Sequence, residues 1–232
     1  MKLPEILDDS SVDQASQLLR DYYLAPSQAT GDVRTGARYD DWAGGGDSPE
    51  TRDSITGDDV IAALFLSIPF PARAAIGILE THAEKVTQLL RGIPSDVELS
   101  DLNGDQFESV LGPDSASWHL WDLLRGKPDR KWGVGPTTAS KLMARKRPHL
   151  IPIWDSVIKS QTGLNSSLTQ WREWHTALTA DGGKLASRLN EIQEHAQLSA
   201  PISRLRVMDV VLWMNGTDRG RNVPAPVEAD NA

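Results

Sequence analysis

The chain has 232 residues, 39% of them hydrophobic and 24% charged, enough for one large domain or two small ones. It shows no apolar run near 18 residues and no apolar leader core, so it is expected neither to span a membrane nor to be secreted. The absence of cysteine excludes disulfides and a cysteine-held iron–sulfur cluster and points to a reducing cytoplasm, while a net charge of −8 speaks against a general nucleic-acid binder.

In chain order, the first helical pattern runs from Ser11 to Leu24, with Val12, Ala15, Leu18 and Leu19 on one face. Residues 25–50 turn to Gly, Asp, Ser and Thr and read as a long loop, a candidate hinge or pocket lid. Its Gly44-Gly45-Gly46 run lacks the lysine of a nucleotide-binding loop. Thr56-Gly57-Asp58-Asp59 has the cap-then-acid spacing of a helix start. The apolar run Val60 to Leu66 then predicts a helix central to the core, broken by Pro69 and Pro71. One long helix is expected over Ala72–Leu90, and shorter ones over Asp101–Leu111 and Ser115–Leu124. Beyond residue 155, helices are predicted near Ser156–Gln161, Ser167–Thr179, Lys184–Ala196 and Ile202–Met214. The tail from Gly216 to Ala232 is expected to be disordered. No alternating strand pattern is convincing, so the fold class is all-α: one domain over 1–215, two-lobed with a cleft.

The organising stretch is Trp132 to Asp155. Gly133-Val134-Gly135 reads as a tight hairpin leading into a helix whose first turn suits Pro136. The amides of Gly135, Thr137 and Thr138 can then face an anion, most commonly a phosphate. Lys141, Arg145, Lys146 and Arg147 follow, and the run Leu150-Ile151-Pro152-Ile153-Trp154 ends on Asp155, which opens the next helix. From Arg125 to Trp154 there are eight basic residues and one acid, so an acidic chain carries a local charge of +7. That asymmetry is the footprint of one phosphate-facing surface, although a solvated basic helix without a partner gives the same pattern.

Gly-Val-Gly-x-x-Thr-Ala resembles the second half of a helix-hairpin-helix DNA-binding motif. Its continuation, with Asp155 20 residues after Gly135, resembles the loop and catalytic aspartate of the helix-hairpin-helix DNA glycosylases. Ile-Pro-Ile-Trp-Asp is similar to the adenine-specific mismatch enzymes of that superfamily. The likeness is specific over about 25 residues; upstream, Asp58 to Leu66 is loosely similar to the superfamily's first long helix. The whole chain also resembles a bacterial family of unknown function. Two departures stand out. Thr137 occupies the position of the lysine used by bifunctional lyases, and Asp129-Arg130-Lys131-Trp132 precedes the hairpin where a leucine and a proline are usual.

The resemblance implies a monofunctional DNA glycosylase, with no cofactor and with DNA as partner. Asp155 would be the carboxylate that stabilises the sugar cation, and its plain alternative is an N-cap. The DNA-binding set would be Gly133, Val134, Gly135, Thr137, Thr138, Lys141, Arg145, Lys146 and Arg147. Trp154 and Trp42 are the aromatics offered for a flipped-base pocket. Lys141, one turn from Thr137, would contact phosphate or, less readily, replace the missing lysine. The five histidines show no metal-ligand spacing, and His149 beside the basic run is the one placed to touch DNA. The competing class is a helix-hairpin-helix protein that binds the DNA backbone without chemistry.

Overall fold

Among the described residues helix follows helix, and the β-type pairing is a single isolated bridge between Pro26 and Val33. The computed structural model describes residues 1–26, 30–127 and 132–217. Its α-helices are α1 Val12–Leu24, α2 Gly57–Leu64, α3 Ala72–Ile76, α4 Ala83–Arg91, α5 Gly104–Leu111, α6 Ala116–Leu124, α7 Pro136–Lys146, α8 Ser156–Thr162, α9 Gln170–Thr179, α10 Lys184–Ala196 and α11 Arg204–Gly216. The all-α expectation therefore holds. Residues 128–131, with Asp129, Arg130 and Lys131, and the tail 218–232 lie outside the described residues.

Local sequence sets the helix starts. Thr56 caps α2 in a reciprocal box: its hydroxyl accepts from the Asp59 amide while the Asp59 carboxylate accepts from the Thr56 amide at 2.8 Å. Asn103 and Gln106 do the same for α5, and the Ser115 and Ser203 hydroxyls cap α6 and α11.

Three expectations are corrected. The run Val60 to Leu66 is not the centre of the core: Ile61 and Leu64 are 39% and 45% exposed, and α2 buries Asp59, Ala62 and Ala63. Small side chains on that face let α2 lie close against α7. The enclosed helix is instead α11, buried continuously from Leu205 to Leu212 and packed against α1, α8 and α10. The predicted helix over Ala72–Leu90 is divided. After α3 comes a π-helical turn, Gly77–Thr81, and His82 leaves helical geometry before α4 begins. The cause is Trp132, whose indole packs so closely on Gly77 that any Cβ there would overlap the ring. The Trp132 indole N–H donates to the Leu124 carbonyl at 2.7 Å, keying the end of α6 and the start of the hairpin into that bend. The stretch 30–50 is neither bare loop nor free lid. It has short 3₁₀ turns at Thr35–Arg38 and Trp42–Gly44 and is fastened to α7 by side chains.

The apolar core forms one large cluster. A small satellite of Tyr39, Ala62, Ala144 and Ile153 joins the strapped loop, α2, α7 and the segment leading to α8.

Candidate functional site

The hairpin glycines act differently. Gly133 has φ +80°, the left-handed region that favours glycine, and is exposed. Gly135 is extended and is the N-cap of α7, without a side-chain cap, ahead of Pro136 at the first helical position. The Ala139 amide reaches back to the Gly135 carbonyl at 3.0 Å, so the amides of Thr137 and Thr138 precede the helix's own ladder. Val134 and Thr138 are buried, while Gly135 and Thr137 are half-buried.

The basic run does not form the solvent-facing surface its charge suggests, and the side chains proposed for phosphate contact must be relocated to the interior. Arg145, Lys146 and Arg147 are 4%, 0% and 2% exposed. Arg145 pairs through Nε with Asp59 at 2.9 Å and donates to the Trp42 carbonyl at 2.6 Å and to the Tyr39 carbonyl. Lys146 pairs with the other Asp59 oxygen at 2.6 Å and donates to the carbonyls of Gly46 and Thr51 at 2.9 and 3.2 Å. Arg147 takes Asp53 at 2.8 Å together with the carbonyls of Ile93, Arg52 and Leu90. The physical reason is backbone satisfaction. A loop without a ladder carries buried carbonyls, and cations on α7 and at its C-terminal end supply the donors. Burial pulls Lys146 and Arg147 below their ordinary values, with Asp59 and Asp53 respectively opposing.

Lys141 is also inside, 6% exposed, its amine donating to the Leu66 carbonyl at 3.0 Å. Its own carbonyl accepts from the Tyr39 hydroxyl at 2.5 Å. Burial lowers the Lys141 amine from its ordinary value, while Asp155 and Asp209 act to raise it.

Asp155 caps α8: one oxygen, Oδ1, accepts from the amides of Val157 and Ile158 at 3.0 and 2.9 Å. Among the described residues Oδ2 has no protein hydrogen bond, and the side chain sits 9% exposed at the edge of a polar site. The Trp154–Asp155 segment is held on α7 by Ser140, whose hydroxyl accepts from the Trp154 amide at 2.9 Å and donates to the Trp154 carbonyl at 3.2 Å. The two aromatics offered for a base pocket are held by different partners. Trp154 is buried, whereas Trp42 leans edge-on against Phe65 and donates its indole N–H to Asp58 at 3.1 Å. His149 is held by Glu98 at 2.7 Å, which raises its value above the ordinary one.

Sequence reasoning missed a buried charge cluster on α11. Arg206 on α11, 5% exposed, binds both oxygens of Asp40 at 3.0 Å, Asp209 at 2.5 Å and the Gly36 carbonyl at 3.1 Å. Tyr23 donates to Asp40 at 2.6 Å, and the Tyr22 and Tyr39 rings flank the guanidinium. Asp209 is raised to about 6, first by burial, against Arg206 and with the Asp155 charge adding to the rise. The available signal was an Arg-x-x-Asp pair inside an apolar helix, since opposite charges three apart share a face.

Among the described residues no group of three or more His, Asp or Glu is arranged to hold a metal ion. Hollows of about 410 Å³ beside Asp13, Arg20 and His195, and of about 350 Å³ beside Ser100, Asn190 and Arg204, lie away from Asp155. No helix among the described residues is long and apolar enough to cross a membrane.

The protein is all-helical, and a buried charge cluster on α11 ties α1 and the strapped loop together while Tyr39 of that loop bonds α7. Residues 15–216 match the model of a family of unknown function, DUF6308, and the chain belongs to that family. The match takes in the hairpin, Asp155, Arg206 and Asp209. No curated protein and no solved structure matches the chain.

Proposed function

We propose that this chain is a monofunctional DNA N-glycosylase of two-lobed helix-hairpin-helix architecture, with α6 and α7 as the arms of the hairpin and Asp155 as the catalytic carboxylate. The observation that carries this reading is the state of Asp155: one oxygen is fixed by two α8 amides, and among the described residues the other has no protein hydrogen bond. A carboxylate so oriented stabilises positive charge growing on a sugar as its bond to the base breaks, and can direct water to that carbon. The bonding pair leaves with the base, the water oxygen joins the sugar, and the base takes up the proton that the water gives up. Backbone contact falls to the exposed Gly133 turn and the Thr137 and Thr138 amides, because Arg145, Lys146 and Arg147 are engaged internally. With Thr137 in the lyase-lysine position, cleavage stops at an abasic site.

The test is a screen of mismatched and base-modified duplexes for base release, with wild type and Asp155→Asn side by side. Asparagine caps a helix about as well as aspartate, so the variant keeps its fold while losing ~10²-fold or more in rate. Equal rates would remove Asp155 from the chemistry. A second reading has its own support, since the two cap bonds already give Asp155 a structural role. In that reading the chain binds the DNA backbone without cleaving it, and wild type would hold duplex DNA while releasing no base from any substrate.

A further inference from the structure

From residue 151 to residue 155 the chain crosses the interior outside any helix or strand, and all five residues are buried. Backbone placed there has no ladder of its own and must find partners elsewhere. The Ile151 amide reaches the Arg147 carbonyl at 2.9 Å, and the Asp155 carbonyl accepts from the Lys159 amide at 3.0 Å as the first rung of α8. Between these two anchors, among the described residues, the backbone hydrogen bonds go to a single side chain, Ser140 of α7. Its fully buried hydroxyl accepts from the Trp154 amide at 2.9 Å, one residue short of Asp155. Its one hydrogen lies within reach of two carbonyls, Trp154 at 3.2 Å and Thr137 at 2.9 Å. Either choice leaves the bond from the Trp154 amide in place. Thr137 and Thr138, whose amides open α7, stand within one turn of Ser140, and the far end of α7 is pinned to the strap by Arg145 and Lys146.

We infer that Ser140 is a positioning residue for Asp155: it ties the carboxylate's segment to α7, so that the hairpin turn and Asp155 behave as one rigid body with a fixed spacing between them. The positioning role rests on the glycosylase reading above, whereas the tie itself does not. A backbone phosphate held at the Thr137 and Thr138 amides decides, through that spacing, where the neighbouring sugar meets Oδ2 of Asp155. Ser140 touches no reacting atom and acts only through Trp154. Removing its hydroxyl leaves the Trp154 amide and carbonyl unpartnered inside the protein, and the cost of such groups drives the segment to shift until other partners reach them. The cap bonds of Asp155 join it to the first turn of α8 and not to α7, so they do not restore the spacing. A displacement of about 1 Å is enough to cost ~10²-fold in rate.

The experiment compares the full chain as wild type, Ser140→Ala and Ser140→Cys, since cysteine keeps the shape with a weaker donor and acceptor. Amide hydrogen exchange comes first and needs no ligand. The α11 amides report any general loss of stability, and the Trp154, Val157 and Ile158 amides report the tie. In Ser140→Ala the second set should speed up about tenfold more than the first, with Ser140→Cys in between. Equal acceleration of both sets, or none, overturns the tie. Turnover is then set against binding. Binding is measured on a duplex carrying a tetrahydrofuran abasic-site analogue, which cannot be cleaved, and turnover on the duplex from which wild type releases base in the screen above. Ser140→Ala should bind the analogue within about twofold of wild type while its single-turnover rate falls ~10²-fold, and Ser140→Cys should recover part of that rate. A structural role alone lowers both together or neither, and either pattern overturns the positioning role. If wild type releases no base from any duplex, the glycosylase reading fails and the positioning role falls with it, while exchange still decides the tie.

Discussion

Two charged regions lie on and around the same helix and are built on opposite terms. At the C-terminal end of α7, Arg145, Lys146 and Arg147 meet two carboxylates and a row of carbonyls, and each is buried and multiply bonded. One turn earlier, Lys141 makes one hydrogen bond through its amine among the described residues, to the Leu66 carbonyl, and burial lowers it while the Asp155 and Asp209 charges act to raise it. Multiple internal bonds mark the first region as structural, because buried cations already engaged by carboxylates and carbonyls have little to offer a ligand. Residual capacity distinguishes the second region, and it is the one the proposed function draws on.

The largest effect should come from breaking the first region. Asp59→Asn removes the charge that faces both Arg145 and Lys146 and leaves two buried cations uncompensated. Its cost should be about 3–5 kcal/mol by urea unfolding at unchanged m-value. A loss within the range of surface substitutions would show that these cations are solvated after all. Next comes Tyr39→Phe, which touches both regions, since the Tyr39 carbonyl takes Arg145 and its hydroxyl serves the Lys141 carbonyl. Stripping that hydroxyl removes one hydrogen bond from a carbonyl that keeps its helical amide partner, and should cost about 0.5–1.5 kcal/mol. The third effect is a dependence on pH. Asp209 has a folded value near 6, above its ordinary 3.8, so the folded protein binds more protons between those values. Its contribution to stability is therefore complete below about pH 4 and is lost as pH rises through about 6. Thermal unfolding of wild type against Asp209→Asn across that window should show wild type losing ground as pH rises. A constant difference would sink the assignment.

Much of the fold was legible because its signals are local. Thr56 with Asp59, Ser115 and Asp155 announce helix starts within four residues of themselves, and the structure places a start at each. The burial of the basic run was not legible, because its partners lie far away in sequence: Arg145 reaches Tyr39 across 106 residues and Lys146 reaches Gly46 across 100. Composition counts such cations as surface charge and has no means of seeing the carbonyls. The centrality of α11 was hidden by Arg206 and Asp209, which interrupt the apolar pattern yet neutralise each other at 2.5 Å. The break after α3 had a faint sign in Gly77, since a glycine inside a helical pattern often marks a close approach. Nothing nearby named Trp132 as the approaching ring.

The strap from Gly36 to Asp53 has a bearing on the order in which the molecule assembles. Its carbonyls are claimed by side chains about a hundred residues downstream, so it gains its main donors only after α7 has formed. Closure over such a span is slow to nucleate and is won late in folding. The same dependence makes the strap a sensor of α7 in the finished protein. Residues 36–53 are partly exposed but pinned by these bonds, so loosening of α7, as in Asp59→Asn, should make a protease cut this segment faster than in wild type.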